Sequence, residues 1–508
     1  MKLYASIYVG TYETMLKVFQ VTSDRNLKEI DCLRMPMELL NEINATGSIS
    51  NETTNRLCNL LGDMLRTVQS YRISDYQVYA TGLLYKAINA FFVLEQIKLR
   101  TGLNVLVRSN SEQRFLSYRA AASQKSFEDM ISDSAAIIDV GGASIQITLF
   151  VNGKVRTTQH LGLGTVTIRE KLRRFSHGSN RREHVQEIIY KELDVFTTMY
   201  LQDTKLKYLI ILGDQMTSLS NIGTPVDRGV SLKADKCLDI LRKLYDKPIL
   251  ELPVELPILK ENQDLVEPYV LLHKAIAEKL PSKYVFFSGV SINEGMAYDF
   301  FAAKNALDVY HDFEQDIVSA AWAIARRYGS YQPHVKALDS ISTQIYDVIK
   351  KFHGLGKRER LMMRVVAILH DCGKYISIAE ASKCSYAIIM SSEILGLTHK
   401  ERDMIATTVS MNRGSMLPYS EVADRFREEE YVTIIKFLAI LRVANALDRS
   451  HKQKFKHIKM SLRGDKLNIT MEAKDSIALE QGMFENMADF FERIFSIRPV
   501  LTELRIFE

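Results

Sequence analysis

Cysteine is scarce in this chain. Five residues (Cys32, Cys58, Cys237, Cys372 and Cys384) are spread over 508 positions with no CxxC pair, which argues against a disulfide framework or a zinc ribbon and suits a reducing cytosol. Long apolar runs are missing too. No stretch of about 18 uncharged apolar residues occurs, and the N-terminus enters a predicted strand within a few residues without the apolar core of a signal peptide. The expectation is a cytoplasmic protein with no membrane partner. Charge of one sign is also lacking: 66 Lys and Arg against 61 Asp and Glu leave +5, too little to argue for a specific nucleic-acid partner.

What is present is an ordinary globular composition, 46% hydrophobic and 25% charged, with mass for three or four domains. Two local basic groups stand out, Lys171, Arg173, Arg174, Arg181 and Arg182, then Lys350, Lys351, Lys357, Arg358 and Arg360. Each reads as a solvated helix face or as a track for a polyanion.

The most informative pattern is a strand-turn-strand segment that occurs twice. Ile7-Tyr8-Val9-Gly10 continues through Thr11 to Phe19, and Ile138-Asp139-Val140-Gly141-Gly142-Ala143-Ser144 continues to Phe150. In each, a short apolar strand ends in glycine and alternation resumes at Leu16 and Val18 or at Ile147 and Leu149, the pattern of a half-buried second strand. A glycine turn lets backbone N–H groups approach anionic oxygens, and an Asp ending the preceding strand can hold hydrated Mg2+ beside them. The second copy has both parts. The first carries Tyr8 in place of Asp139, a hydrogen-bond donor and a poor Mg2+ ligand.

The first 125 residues read as mixed α/β: the hairpin, a helix from Glu52 to Ser70, a strand from Gln77 to Ala80, a helix from Lys86 to Arg100, a strand from Val105 to Val107 and a turn at Ser109-Asn110-Ser111. A second α/β unit runs from Ala135 to about Asp299, with strands at Tyr208 to Leu212 and Tyr284 to Phe287 that end in turns at Gly213 and Gly289. Periods of 3.6 then dominate from Phe313 to Leu447 and predict a helical domain. The tail alternates at Ile458 to Leu462 and Leu467 to Met471 before an amphipathic helix from Gln481 to Ile494.

These residues resemble the exopolyphosphatase and guanosine pentaphosphate phosphatase (Ppx/GppA) family. The resemblance rests on Ala80-Thr81-Gly82 through Asn89, Arg108 to Phe115, Asp139 to Gln146, Leu161 to Val166, and Ser288-Gly289 to Glu294-Gly295. It implies two actin-like α/β subdomains (1–125 and 126–303), as in sugar kinases, heat-shock proteins and actin, then a helical HD-type domain (304–453) and a small α+β domain (454–508). It implies Glu112 as the carboxylate that orients or deprotonates the attacking water and Asp139 as the Mg2+-side acid. Gly10, Thr11, Lys86, Gly141, Gly142 and Ser144 would then contact phosphates.

The chain departs from the family pattern at Tyr8, Thr11-Tyr12, Tyr85, Gln146 and Asn293. Each of Tyr8, Tyr85 and Gln146 removes a charge from the implied cleft.

Of two His-Asp pairs, His311-Asp312 and His370-Asp371, the second closes an apolar helical run. With His334 upstream and Asp448 downstream it has the ligand order of HD metal phosphohydrolases. Cys384 and Asn412 stand where that pattern has further histidines, so a structural or polyanion-guiding role is expected there, with a second divalent ion as the alternative.

The reading is a Mg2+-dependent hydrolase that removes terminal phosphate from polyphosphate or guanosine penta- or tetraphosphate, acting as a homodimer. The alternatives are a binding or regulatory protein that keeps the cleft without turnover, and an HD-type phosphohydrolase.

Overall fold

In a computed structural model, the structure describes residues 3–124, 126–175, 180–202, 204–213, 230–247, 260–473 and 475–505. The chain forms two compact units, Met1–Asp312 and Phe313–Glu508.

The first unit holds two sheets. One contains β1 (Leu3–Val9), β2 (Glu13–Val21), β3 (Leu27–Pro36), β4 (Tyr76–Thr81) and β5 (Val105–Arg108), in the order β3-β2-β1-β4-β5. The other contains β6 (Ser134–Val140), β7 (Ile145–Val151), β8 (Lys154–Leu161), β9 (Leu206–Ile211), β10 (Val230–Lys233) and β11 (Ser282–Phe287), in the order β10-β11-β9-β6-β7-β8. Read from β8, the second sheet repeats the first, an antiparallel meander of three strands and then two parallel strands on the other side of its first strand, and adds β10 antiparallel at the edge. Parallel neighbours require crossover connections, which the helices Asn51–Ser70 and Ala90–Thr101 supply in the first sheet.

Each sheet is held by its own apolar core. Ile7, Val9, Leu16 and Val18 pack with Leu57, Leu61 and Met64 of the helix Asn51–Ser70. Ile138, Ile145, Ile147 and Leu149 pack with Ile189, Leu193 and Ile276. The alternation seen in both sequence copies is thus the inward face of each hairpin.

The structure shifts several expected elements. The helix expected from Lys86 begins only at Ala90. Asn89 exchanges side-chain hydrogen bonds with the Ile49 backbone, to its O at 2.7 Å and from its N–H at 3.0 Å, which fixes the chain outside a helical path there. Lys86 instead ends a 3-10 turn, Gly82–Lys86. The expected turn Ser109-Asn110-Ser111 is the start of a helix, Asn110–Ala122, because Ser109 caps it. Strands β3 and β8 escaped prediction: β3 is half-exposed and charged, an edge strand with little apolar alternation.

The second unit packs the helices Phe313–Arg327, Gln332–Val348, Lys357–Leu369, Ala381–Ser391, His399–Ser410 and Glu428–Leu447. Its tail forms β12 (Phe455–Arg463), β13 (Lys466–Ala473) and β14 (Arg498–Arg505), with the helix Ala478–Phe495 crossing between the parallel pair β13 and β14. That helix packs on Glu428–Leu447. The tail therefore shares one compact unit with the helices, and β14 is a strand that sequence reasoning missed.

Candidate functional site

The two hairpin tips close alike. Gly10 N–H donates to Glu13 O at 2.8 Å, and Gly141 N–H donates to Ser144 O at 3.0 Å. A Cβ on Gly142 would lie 2.6 Å from Thr11 Oγ1, so the tips abut and only glycine fits without displacing Thr11. Thr165 and Val166, opening the helix Thr165–Arg174, donate their N–H groups to Gly141 O and Gly142 O. In a trans peptide the N–H opposes the C=O, so the Gly142 and Ala143 N–H groups point away from that helix. Neither has a protein acceptor among the described residues.

The start of the helix Asn110–Ala122 reaches both hairpins. Tyr8 donates its hydroxyl to Gln113 Oε1, and Gln113 Nε2 donates to Arg108 O at 2.6 Å. Burial pushes the Tyr8 hydroxyl pKa well up, and the Asp139 charge adds to the shift. Tyr8 therefore stays a neutral donor at neutral pH. Arg114, buried, donates from Nη1 to Asp139 O at 2.8 Å and from Nη2 to Ser144 O at 2.7 Å and Ser144 Oγ at 2.9 Å. Its Nη1 lies 3.9 Å from Asp139 Oδ2.

Glu112 sits at the third position of that helix. Its Oε2 accepts from Ser109 N–H at 2.9 Å and Ser109 Oγ at 2.7 Å, and its Oε1 pairs with Arg108 Nη1 at 3.0 Å. The carboxylate is 26% exposed, so it is rigidly aimed and still reachable by water. Asp139 pairs across the strands with Gln146, whose Oε1 is buried without a hydrogen-bond partner. Lys86 is exposed, and among the described residues no hydrogen bond or ion pair ties it to either tip.

In the second unit, His334 Nδ1 lies 2.7 Å from Asp448 Oδ2, and Asp448 also accepts from Gln453 N–H and Nε2, each at 2.9 Å. His334 Nε2 is left buried and unpartnered. The ring of His451 stacks on it at 3.6 Å between centroids.

One ligand atom each from His334, Asp371 and His451 fall within 4.8 Å of one another, the group of three among the described residues that could hold a metal ion. Asp448 thus orients His334 from behind, and His451 takes the place expected of it. Proximity to Asp448, three residues earlier, was the available hint. His370 Nδ1–H donates to Ala367 O, 2.8 Å away, and Nε2 lies 3.3 Å from Asp371 Oδ2. Burial would raise the Asp371 carboxyl pKa, but His370 and Lys374 beside it hold it far below the usual range.

The other His-Asp pair is internal to the first unit: His311 is buried between Tyr118 and Glu128.

The basic groups are largely spoken for. Arg173 pairs with Asp264 at 3.0 Å, Arg181 and Arg182 with Glu267 at 3.2 and 2.6 Å. Arg358 pairs with Glu401 at 2.6 Å and Arg360 with Asp347 at 2.7 Å. Lys350, Lys351 and Lys357 remain exposed, so the second group contracts to three lysines.

Two family models match this chain, "Ppx/GppA phosphatase family" over residues 18–303, more than half of the chain, and "Ppx/GppA phosphatase, domain III" over residues 319–486. The chain belongs to the Ppx/GppA phosphatase family. Among its relatives is a guanosine-5'-triphosphate,3'-diphosphate pyrophosphatase of Photobacterium profundum, 20% identical over 478 residues, covering 93% of this chain and 92% of the relative. Two solved structures share the fold. An Aquifex aeolicus Ppx/GppA family member is 18% identical with a TM-score of 0.50, covering 60% of this chain and 99% of its own. An exopolyphosphatase from Cytophaga hutchinsonii is 14% identical with a TM-score of 0.50, covering 61% and 99%. The α/β unit is thus the actin-like fold of the Ppx/GppA proteins. No helix among the described residues is long and apolar enough to cross a membrane.

The Ppx/GppA resemblance implied Mg2+ at Asp139, and the residues around it do not make up a fitting set. Mg2+ keeps several waters and takes one or two free carboxylates beside the substrate's own oxygens. Asp139 is paired with Arg114, the carbonyls of Asp139 and Ser144 already accept from that guanidinium, and Tyr8 and Gln146 bring no charge.

Proposed function

We propose that the first unit hydrolyses the terminal phosphoanhydride of a linear phosphate chain, inorganic polyphosphate or guanosine pentaphosphate, releasing orthophosphate. The observation that carries this is the Gly141–Ser144 turn, whose Gly142 and Ala143 N–H groups have no protein acceptor among the described residues and abut the first hairpin at Thr11. Such N–H groups, oriented before substrate arrives, stabilise the charge that develops on the transferring phosphoryl oxygens. The guanosine-nucleotide name of the Photobacterium relative favours that member of the substrate class.

Glu112 would take the proton of the attacking water. Three of its roughly four lone-pair sites are filled by Ser109 and Arg108, which fixes its rotamer and leaves one acceptor direction. The water's oxygen bonds to the terminal phosphorus, the bridging P–O bond breaks, and the shortened chain leaves as the anion. Arg114 acts on the turn, holding both of its ends in place.

The test is orthophosphate release from long-chain polyphosphate and from guanosine pentaphosphate by the full chain and by Glu112→Gln. Release should fall by roughly two to three orders of magnitude in the variant, with an unchanged circular dichroism spectrum. Equal turnover would remove Glu112 from the reaction.

A second reading is favoured by the same carboxylate's engagement with Arg108: a protein that binds the phosphate chain without turning it over. Binding without release in the wild type would select it. For the second unit, the unpartnered Nε2 of His334 supports a divalent transition-metal site with Asp371 and His451. Metal content after purification, lost in His334→Ala, tests this. The exposed Lys350, Lys351 and Lys357 would guide a polyanion.

A further inference from the structure

We propose that Arg114 is the resident cation of the cleft, so that phosphoanhydride binding there needs no divalent metal ion. The inference rests on the reading of the cleft as a phosphoanhydride site.

Arg114 is placed as a metal ion would be. It is 5% exposed and spends its donors on one locus: Nε on Asn110 Oδ1 at 3.2 Å, Nη1 on Asp139 O at 2.8 Å, Nη2 on Ser144 O at 2.7 Å and Ser144 Oγ at 2.9 Å. The two carbonyls flank the glycine turn, one from the last but one residue of β6 and one from the residue before β7. A single planar fork therefore bridges the turn, as a cation coordinated to both carbonyl oxygens would do. The Asp139 carboxylate, 3.9 Å away, supplies the counter-charge.

A divalent ion entering here would meet a fixed positive charge, and its ligands would have to leave the guanidinium. Two positions beside Asp139 are neutral: the Tyr8 hydroxyl, held protonated by burial, and the Gln146 amide. Among the described residues Asp139 belongs to no group of three His, Cys, Asp or Glu side chains placed to hold a metal ion. A guanidinium keeps its charge at any physiological pH, so this cation is in place without loading.

The probe is inorganic tripolyphosphate, titrated calorimetrically into the full chain in excess EDTA and in excess Mg2+. The expected result is a Kd that agrees within about twofold between the two, and a loss of roughly tenfold or more in Arg114→Met in EDTA. The wild-type comparison requires no variant and stands even if Arg114→Met fails to fold. Wild-type binding only in Mg2+ would overturn the inference and leave the substrate class intact, as would unchanged metal-free binding in a folded Arg114→Met. No binding in either buffer would overturn the substrate class and the inference together.

Discussion

The two hairpins of the first unit can be laid on each other residue by residue, because their strand registers match. Tyr8 faces Met15 where Asp139 faces Gln146, Ile7 faces Leu16 where Ile138 faces Ile147, and Ser6 faces Lys17 where Ile137 faces Thr148. The apolar pairs are kept in kind and are fully buried in both. The polar ones have parted. In the first hairpin Lys17, 1% exposed, makes an ion pair with Glu294 at 2.7 Å and Glu29 at 3.0 Å. In the second, Thr148 Oγ1 lies 3.1 Å from Thr158 Oγ1. The repeat is held by its apolar alternation, so the remaining positions were open to diverge, the first hairpin toward a buried ion pair and the second toward a turn whose Gly142 and Ala143 N–H groups have no protein acceptor among the described residues.

The largest expected effect breaks that comparison at its polar rung. Lys17→Met removes the positive charge 2.7 Å from buried Glu294, and removing one partner of a buried pair costs about 3 to 5 kcal/mol. The equivalent change in the other hairpin, Thr148→Val, removes one hydroxyl contact and should cost about 1 kcal/mol. Urea unfolding of the two variants measures both. Equal losses would mean that the two hairpins carry load alike.

Buried basic groups also differ between the two sheets' cores, and pH sharpens the contrast. Lys17 is ion-paired, whereas His273, 3% exposed, is kept neutral: burial lowers its pKa to about 4, partly offset by the hydrogen bond between Nδ1 and Tyr269 O at 2.8 Å. A folded pKa below the unfolded one gives stability that is complete above about 6.5 and is lost as pH falls through about 4. The loss amounts to about 3 kcal/mol across that window. The melting temperature of wild type should therefore fall relative to that of His273→Phe as pH drops from 7 to 4, because the ring of Phe does not titrate. A constant difference would show that His273 is not the titrating group. Asp299, raised to about 6 chiefly by burial, works with the opposite sign and is common to both proteins, so it cancels.

The sheets were legible in the sequence wherever one face is buried. The hairpins, β4, β9 and β11 announce themselves through apolar runs ended by glycine, and Gly213 and Gly289 do take positive φ, 100° and 61°. What stayed hidden depended on partners far along the chain. The helix start at Ala90 is set by Asn89 bonding to Ile49, and β3 and β14 are defined by the strands beside them more than by their own pattern. Among the candidate site residues, Gly141, Gly142, Thr11 and Asp139 are brought to one place, which the duplicated turn suggested. Arg114 and His451 were missed because a lone Arg on a helix and a lone His in a turn belong to no motif of their own. Only the fold shows that the first reaches Ser144 and that the second stacks on His334.

The smallest effect expected is at the rung where the hairpins differ most in chemistry. Tyr8→Phe removes a hydroxyl that donates to Gln113 Oε1, while Gln113 keeps its bond to Arg108 O at 2.6 Å. The lost hydrogen bond is worth about 1 kcal/mol of stability, seen as a small drop in melting temperature. Glu112 and Arg114 are held through other partners, Ser109 and Arg108 for the first and Asp139 and Ser144 for the second. Phosphate release should therefore stay within a few fold of wild type, against the roughly hundredfold or greater loss expected for Glu112→Gln. If Tyr8→Phe instead lost tenfold or more in kcat with its melting temperature nearly unchanged, the hydroxyl would be acting on the reacting phosphate, and the chemistry would belong to both hairpins.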